Sequence, residues 1–524
     1  MGLDRRGIRL FIAVGVCSAL ISASCYASKR FRRLTSQPEN LARLLANAQA
    51  ASRAKLKTGG YVLSGSCRFA GVDESFEMDF DGPNRCREVS RGPLEVQFGF
   101  DGTTSWVENW SHIPHETSFV DGDSGILFFL VVSGLWAVTD SGLSVRQAGP
   151  RSGDPAVLIR LNHGSLNATL TMDRTTSLPK SMSFGGPIDQ EKWTFAQYRL
   201  LAGRIIPTAI THRDGPRVSE FRIQSGKPAS MDPSIFSKPV PDAKYTEYDP
   251  KVSPIVPIRR AFGYTLVRPK LNGQDCGWFL LDTGSDCLCV DPGVAERLKA
   301  KHIATDTIGG AVAELKVSIY RMRRFEIGPV AIIEPTLASV DMTSFSKALE
   351  VQVVGVCGYD FLARSIIDLS PGLKTMGVYP PGSNAAPDVA HWAPFRYFGQ
   401  SPAIGCRFEG DRDGVFEIDT ASPSNVDFTS PAVIRLKLME TRKTADDETS
   451  GVGGDAKSKT GSIAYFEMGG HKFENETVGL QSAKSGAFSN PYLDGIVGTG
   501  FLSRFRLIFD YRRNRIGFMF VGTP

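Results

Sequence analysis

Alternating apolar and polar residues recur along the chain after its first forty positions, and they predict short strands rather than long helices. The clearest such stretches are 61–63, 76–80, 94–100, 168–173 and 204–207. Turn-forming residues separate several of them, at 81–83 and 101–102. One helix is predicted over 40–54, because apolar residues recur there at helical spacing. The region 38–245 is therefore expected to be an antiparallel β domain with few helices.

Proline density divides the rest of the chain. Residues 228–257 and 380–402 are rich in proline, which removes a backbone donor and disfavours regular ladders. We expect both stretches to be linkers or extended connections. They leave three blocks, at 38–245, 253–380 and 395–522.

The N-terminus contains an uncharged run of 19 residues between Arg9 and Lys29, with basic residues at both ends. This length lies between that of a signal-peptide core and that of a short transmembrane helix. Residues 1–33 are therefore predicted to be a signal anchor or signal peptide containing a hydrophobic helix. Cleavage after Ala27 and retention as an anchor both stay open, and we prefer the anchor. The protein is expected to be membrane-anchored or exported, facing the extracytoplasmic side.

Composition and charge exclude several classes of protein. Of 524 residues 42% are hydrophobic and 22% charged, which is typical of a globular chain. Residues 1–33 hold seven basic groups and one acid, so the remainder is nearly neutral although the net charge is +5. A nucleic-acid-binding body is therefore not expected.

Cysteine usage argues against a disulfide scaffold or a metal site. Nine cysteines in this length are sparse, and none has the paired CxxC spacing of a zinc site. Cys67 and Cys86 are the pair that could bridge neighbouring strands, and the sequence leaves their bonding undecided. No metal and no cofactor is expected.

The first candidate catalytic segment is an apolar strand that ends in an acidic residue. The segment 277–281 is followed by Asp282, Thr283, Gly284 and Ser285. A carboxylate buried at a strand end is costly unless hydrogen bonds hold it, so such a residue usually has a function. An apolar segment ending in a glycine at position 358 follows 76 residues after this aspartate.

The same ordered pair of features occurs again in the third block. An apolar strand ends in Asp419, followed by Thr420, Ala421 and Ser422, and a second apolar segment reaches Gly498 after 79 residues. Two features recurring in the same order at nearly equal spacing indicate an internal duplication.

These motifs resemble those of the pepsin and retropepsin class of aspartic proteases, over residues 255–520. The resemblance implies a mainly β fold in which the blocks 253–380 and 395–522 are two pseudo-symmetric β-barrel lobes. It implies that each lobe contributes one catalytic aspartate, Asp282 and Asp419. The pair would share a proton and activate a water that hydrolyses a peptide bond.

The resemblance also implies supporting residues. Those expected around the pair are Thr283, Gly284, Ser285, Thr420, Ala421, Ser422, Gly358 and Gly498. Those expected at flap tips are Gly309, Gly310, Gly453 and Gly454. The threonines would brace the two loops, and the serine hydroxyls would each donate to a carboxylate, lowering the pKa values and favouring activity at acidic pH. Ala421 departs from the family's glycine, and its Cβ would strain the turn if its φ were unusual.

The first domain has a second, shorter resemblance. Segments 99–106, 178–179 and 203–207 are similar to those of the curved-sheet domains of bacterial envelope lipoprotein carriers. This implies an apolar half-barrel cavity able to hold acyl chains or a peptide. A β domain that only positions its neighbour is an equal alternative.

Two functions follow as hypotheses. The first is an envelope-associated aspartic endopeptidase, a monomer acting on a peptide or protein substrate and attached to the membrane through its N-terminus. The second is a non-catalytic peptide- or lipid-binding envelope protein with a degenerate protease fold. Replacing Asp282 by Asn separates them, since only a protease has cleavage to lose.

Overall fold

The protein divides into two compact units. The computed structural model describes residues 10–11, 38–55, 59–117, 120–151, 153–185, 191–215, 217–309, 314–383, 389, 391–451 and 454–522. Within these, the N-terminal unit comprises 38–110 and 114–241, and the C-terminal unit comprises 10–11, 111–113 and 242–522. Both units consist mainly of strands, which confirms the predicted fold class at that level.

The predicted N-terminal helix lies outside the described residues, apart from one short strand. That strand, β1 (Leu10–Phe11), pairs in parallel with residues 450–451. Among the described residues, no helix combines the length and the apolar character needed to span a bilayer.

The N-terminal unit contains one antiparallel sheet of thirteen strands among its described residues. The strands are β2 (Tyr61–Phe69), β3 (Val72–Asp81), β4 (Arg85–Arg91), β5 (Gln97–Phe100), β6 (Ser105–Glu108), β7 (His115–Glu116), β8 (Leu143–Arg151), β9 (Asp154–Leu161), β10 (Ala168–Met172), β11 (Pro179–Phe184), β12 (Glu191–Leu201), β13 (Arg204–Asp214) and β14 (Arg217–Pro228). Their order is β7-β6-β5-β4-β3-β2-β14-β13-β12-β11-β10-β9-β8. The five predicted strands are confirmed, although β5 starts three residues later than expected because Glu95 has a positive φ.

Two helices accompany this sheet, of which one was predicted. Helix α1 (Pro38–Ser52) confirms the expected helix over 40–54. Helix α2 (Val120–Val132) was not predicted, because an apolar run without helical periodicity also fits a buried strand. Its Phe128 ring lies 4.2 Å from that of Trp193, and Phe129 stacks on Phe98. Helix α2 thus packs on an apolar face of the sheet.

Cys67 and Cys86 do not form a bridge. Both are buried free thiols on β2 and β4, which are separated by β3. They lie opposite Glu74 and Phe80 of β3, six residues apart along that strand, or about 20 Å. The bonding of these two residues, which the sequence left undecided, is therefore resolved: they do not bridge neighbouring strands.

The C-terminal unit holds the remaining elements. Its strands are β15 (Thr246–Tyr248), β16 (Ile255–Pro257), β17 (Arg259–Ala261), β18 (Tyr264–Val267), β19 (Lys270–Leu271), β20 (Gln274–Asp275), β21 (Trp278–Leu281), β22 (Leu288–Val290), β23 (Lys301–Gly309), β24 (Glu314–Arg321), β25 (Arg324–Ile327), β26 (Val330–Ile333), β27 (Thr336–Ser339), β28 (Val353–Cys357), β29 (Ile366–Leu369), β30 (Thr375–Tyr379), β31 (Trp392–Phe398), β32 (Ser401–Phe408), β33 (Arg412–Ile418), β34 (Val426–Phe428), β35 (Ala445–Gly451), β36 (Gly454–Met468), β37 (His471–Gln481), β38 (Gly495–Val497), β39 (Phe505–Asp510) and β40 (Arg515–Phe520). Its helices are α3 (Pro292–Arg297), α4 (Thr343–Leu349), α5 (Tyr359–Leu362), α6 (Ser430–Arg435) and α7 (Thr499–Leu502).

One strand arrangement occurs twice in this unit. Strand β21 runs parallel to β28, which pairs antiparallel with β22. In the same way β33 runs parallel to β38, which pairs antiparallel with β34. The two Asp-Thr segments therefore leave strands that have equivalent neighbours.

A sheet joins the two parts of the C-terminal unit, which correspond to the predicted blocks 253–380 and 395–522. Its order β16-β30-β29-β39-β40-β31 places β29 and β39 side by side in antiparallel register. On these strands Asp368 accepts two hydrogen bonds from Arg506, at 2.8 and 2.6 Å. Aromatic and aliphatic side chains from both parts form one buried core cluster around this sheet.

The second proline-rich stretch is not a linker throughout. Pro394 lies in β31 and Pro402 in β32, and these two strands pair with each other. A proline lacks only its own N–H, so a strand tolerates it wherever that position needs no donor. The predicted irregular segment is therefore ordered strand from residue 392 onward.

Candidate active site

Each of the two aspartates follows directly on its strand and is held there by the backbone of the neighbouring strand. The N–H of Asp282 donates to the carbonyl of Cys357 at 3.0 Å, and the N–H of Asp419 donates to the carbonyl of Val497 at 3.0 Å. Both side chains are almost fully buried, with exposed fractions of 0% and 1%. The duplicated strand arrangement thus gives the two carboxyl groups equivalent positions.

Two threonines join the loops crosswise. The Thr283 N–H donates to Oγ1 of Thr420 at 3.1 Å, and the Thr420 N–H donates to Oγ1 of Thr283 at 3.0 Å. Each hydroxyl also donates across to the opposite strand end, to the carbonyls of Ile418 (2.5 Å) and Leu281 (2.8 Å). Four buried hydrogen bonds therefore hold the two loops in one relative position.

The two carboxyl groups lie close together, both against Gly284. Oδ1 of Asp282 accepts the Gly284 N–H at 2.8 Å, and a Cβ on Gly284 would lie 2.9 Å from Cγ of Asp419. In the second loop, Oδ1 of Asp419 accepts the Ala421 N–H at 2.7 Å. Oδ2 of Asp282 is buried without a hydrogen-bond partner among the described residues. Two carboxyl groups this near to each other cannot both ionise cheaply, so one of them keeps a proton.

Burial and mutual repulsion raise the pKa of both groups. Burial raises the pKa of Asp282 well above its usual value, and the charge of Asp419 raises it further. Burial raises the pKa of Asp419 to about 7, although the hydrogen bond from the Ala421 N–H opposes that rise. The pair therefore retains a shared proton up to neutral pH. Hydrogen bonds do lower these pKa values, as expected, but burial outweighs them, so the expected net lowering was wrong.

The serine hydroxyls point elsewhere. Ser285 Oγ donates to the carbonyl of Cys287 at 3.0 Å, and Ser422 Oγ lies 2.9 Å from Oγ of Ser424. Each hydroxyl thus satisfies a group of its own loop instead of a carboxylate. The predicted serine-to-carboxylate hydrogen bonds are absent from the described side chains.

Gly284 and Ala421 differ in what surrounds them. A Cβ built on Gly284 would lie 2.9 Å from Cγ of Asp419, closer than real contacts allow, so this position needs a glycine for space. Ala421, which follows the second Asp-Thr, is not among the residues with a positive φ. The predicted turn strain at this alanine is therefore not observed.

The two later glycines run behind the loops. A Cβ on Gly358 would lie 2.4 Å from the carbonyl oxygen of Ser285, and one on Gly498 would lie 2.5 Å from Oγ of Ser422. The residue after each glycine donates its N–H to the carbonyl of the same serine, at 2.9 and 2.6 Å respectively. Both segments therefore support the Asp-Thr loops from behind.

The predicted flap residues are described only in part. Gly309 ends β23 and pairs with Glu314, and Gly454 begins β36 and pairs with Gly451. These positions are at the ends of two hairpins. Gly310 and Gly453 lie outside the described residues.

Two acids beside the pair were missed at the sequence level. Asp286 and Glu417 are buried, and the charge of Glu417 contributes to the raised pKa of Asp282. Glu417 interrupts an otherwise apolar strand end, and this break in the pattern is the signal that could have identified it.

Three solved structures have weak overall similarity to this chain. A DUF1329 family protein from Desulfovibrio piger has 9% identity and a TM-score of 0.28, covering 39% of this chain and 98% of its own. LolA superfamily protein NE2245 from Nitrosomonas europaea has 12% identity and a TM-score of 0.27, covering 37% and 96%. Basic 7S globulin from soybean has 11% identity and a TM-score of 0.30, covering 51% and 96%.

Sequence comparison matched the region around the first Asp-Thr segment to a protein family. No curated protein matches the chain. Residues 267–361, which include Asp282 and Gly358, match the family model of the aspartyl proteases. At this coarse level, the chain contains an aspartyl protease-like region.

Proposed function

We propose that the protein is an aspartic endopeptidase whose catalytic part is formed by two related lobes, 253–380 and 395–522. The observation that carries this proposal is the placement of two buried carboxyl groups against Gly284, on loops braced by reciprocal threonine hydrogen bonds. The match of residues 267–361 to the aspartyl protease model supports it independently.

The chemistry follows from one proton shared by two carboxyls. The ionised member takes a proton from a water molecule, whose oxygen attacks the carbonyl carbon of the substrate's peptide bond. The protonated member hydrogen-bonds the carbonyl oxygen and stabilises the developing negative charge. A proton then passes to the amide nitrogen, the C–N bond breaks, and a carboxylic acid and an amine leave. Asp282 and Asp419 are the proposed catalytic residues.

The test is digestion of a peptide library by the wild type and by Asp282→Asn and Asp419→Asn. Each variant keeps the size of the side chain but removes the ability to share a proton, so we expect both to lose cleavage by about a thousand-fold or more. Asp413→Asn makes the same change at an exposed position of β33 and should cleave as the wild type does.

Each other result has a definite meaning. Cleavage that survives in both variants contradicts the proposal. Loss in only one variant would mean that a single lobe carries the chemistry. A folded wild type that binds peptides at all tested pH values without cleaving them would favour the alternative, a non-catalytic binding protein.

We further propose that residues 1–33 attach the protein to the membrane or direct its export, so that 38–522 face the extracytoplasmic side. The uncharged run between Arg9 and Lys29 is the support for this. Fractionation of cells expressing the full chain tests it, with protease accessibility in intact cells as the readout. Recovery in the cytoplasmic fraction would contradict it.

A further inference from the structure

Glu417 is a buried acid on the strand that leads to Asp419. Side chains alternate along β33, so Phe416 and Ile418 face the apolar core while Glu417 and Asp419 share the opposite face. The equivalent position of β21 is occupied by Leu280, which is also buried. An acid therefore stands where the other Asp-Thr segment has an apolar residue, and burying it is costly unless it is uncharged or partnered.

The hairpin between β31 and β32 contacts the surroundings of this acid. The Gln400 N–H donates to Oδ1 of Asp286 at 2.8 Å. Gly399 has a φ of 57°, and a Cβ there would lie 2.9 Å from Oδ2 of Asp286. The next residue, Ser401, carries a hydroxyl that favours the ionised form of Glu417 and so lowers its pKa. The hairpin thus packs closely on Asp286 and hydrogen-bonds it, and it also acts on Glu417.

Four titratable side chains interact electrostatically with Glu417. They are Asp282, Asp286, Asp419 and Tyr511. The Tyr511 hydroxyl is buried and has no hydrogen-bond partner among the described residues, and the charges of Asp282, Asp286 and Glu417 act on it. Acids from both Asp-Thr segments therefore act on Glu417 and on one another.

We propose that Glu417 is a positioning residue that keeps Asp282 and Asp419 in productive contact by remaining uncharged, and that its ionisation sets the upper pH limit of cleavage. This inference rests on the proposed function. The physical reason is that the working pair already carries one negative charge. An ionised Glu417 would add a second charge beside it in a buried site, and like charges there repel strongly.

The direction of its titration agrees with this role. Burial raises the pKa of Glu417 well above its usual value, and the charge of Asp419 raises it further, while the Ser401 hydroxyl opposes the rise. Glu417 is therefore neutral over the acidic range and becomes charged only as the pH rises.

The first test is the pH dependence of kcat/KM for Glu417→Gln. Glutamine keeps the shape of the side chain but does not ionise. We expect near wild-type kcat at the optimum and an alkaline midpoint that moves upward by about one pH unit. An alkaline midpoint that stays in place or moves downward would overturn the proposal.

A second measurement does not depend on activity. A folded-state pKa raised above the unfolded value adds stability at low pH, which is lost as the pH rises through the folded pKa. The Tm of Glu417→Gln relative to wild type should therefore increase between about pH 5 and pH 9. Glu476→Gln removes a buried carboxylate paired with Arg504 and should show no such increase. If the wild type cleaves no peptide, the proposed function fails while this measurement still tests the titration of Glu417.

Ser401→Ala provides a variant that leaves the acid in place. It removes the hydroxyl that favours the ionised form of Glu417, so the alkaline midpoint should again move upward, by less than in Glu417→Gln. If Glu417→Gln does not fold, the alkaline midpoint of Ser401→Ala tests the proposal instead. A Tm difference for Glu417→Gln that is constant with pH, or a downward shift in Ser401→Ala, counts against the proposal.

Discussion

Gly284 has to be a glycine because of the side chain of Asp419, which is more than a hundred positions away in the sequence. It needs no unusual φ, and the three atoms nearest to an added Cβ all belong to Asp419. The restriction comes from Asp419, whose carboxyl carbon would lie 2.9 Å from an added Cβ. Close packing at this position is a property of the aspartate pair and not of the turn.

Replacing Gly284 by Ala should therefore push the two carboxyls apart. We expect kcat to fall by about ten-fold or more, since small displacements of reacting groups are costly. Ala421→Gly, at the matching place in the second loop, should keep activity within a few-fold, because the loop already accommodates alanine. The measurement is kcat on one peptide substrate for both variants. Equal effects of the two changes would contradict this argument.

The aspartate pair also determines the pH range. Because the pKa of Asp419 is raised to about 7 and that of Asp282 well above its usual value, the pair keeps its shared proton to neutral pH. Asp419 ionises at about pH 7 while Asp282 keeps the shared proton, so we expect cleavage to rise from pH 5 towards pH 7 as the singly protonated pair forms. A kcat/KM profile from pH 3 to 9 measures this, and activity confined below pH 4 would contradict it.

Among the elements, the two Asp-Thr loops are stabilised by each other more than by their own strands. Thr283 and Thr420 each donate and accept across the contact, with all four groups buried. A buried hydrogen-bonding group that loses its partner costs more free energy than the bond itself contributes. The brace is therefore a cooperative unit.

Thr420→Val tests the brace. Valine keeps the shape but leaves the Leu281 carbonyl and the Thr283 N–H without their partner. We expect the free energy of unfolding of the C-terminal unit to fall by about 1–3 kcal/mol. Urea denaturation measures this, and cleavage should decline with it. Thr420→Ser retains the hydroxyl and should lie close to wild type; if it matches the valine variant instead, the methyl group and not the hydroxyl is responsible.

At the scale of the whole C-terminal unit, the sheet through β29 and β39 connects its two parts. Asp368 and Arg506 form a two-bond ion pair across these strands, and the acid is nearly buried. Such planar pairs are among the stronger polar interactions in proteins.

Asp368→Asn should weaken this connection. We expect a loss of about 1–3 kcal/mol in the free energy of unfolding, since one charge-assisted pair becomes a neutral contact. Thermal unfolding of the full chain is the measurement. Asp446→Asn alters an exposed ion pair with Lys459 and should leave Tm unchanged. Equal effects of both changes would show that the position between the strands is unimportant.

Much of this architecture was accessible from local patterns. Alternating residues identified the early strands, and the repeated Asp-Thr segments with their later glycines identified both loops, because such patterns depend on neighbours close in sequence. Helix α2 was not predicted, because its run of apolar residues is compatible with a strand and with a helix. Only packing on the sheet decides between the two.

The chemistry of the site depended on distant contacts. Asp282 and Asp419 are 137 positions apart in the sequence, as are Thr283 and Thr420, which brace their loops. Whether burial or hydrogen bonding prevails in their pKa values is determined by groups from both parts of the chain. The direction of the serine hydroxyls and the gathering of Asp286 and Glu417 beside the pair arise in the same way. Local sequence determines which strands and turns form, whereas the electrostatic state of a buried group depends on everything packed around it.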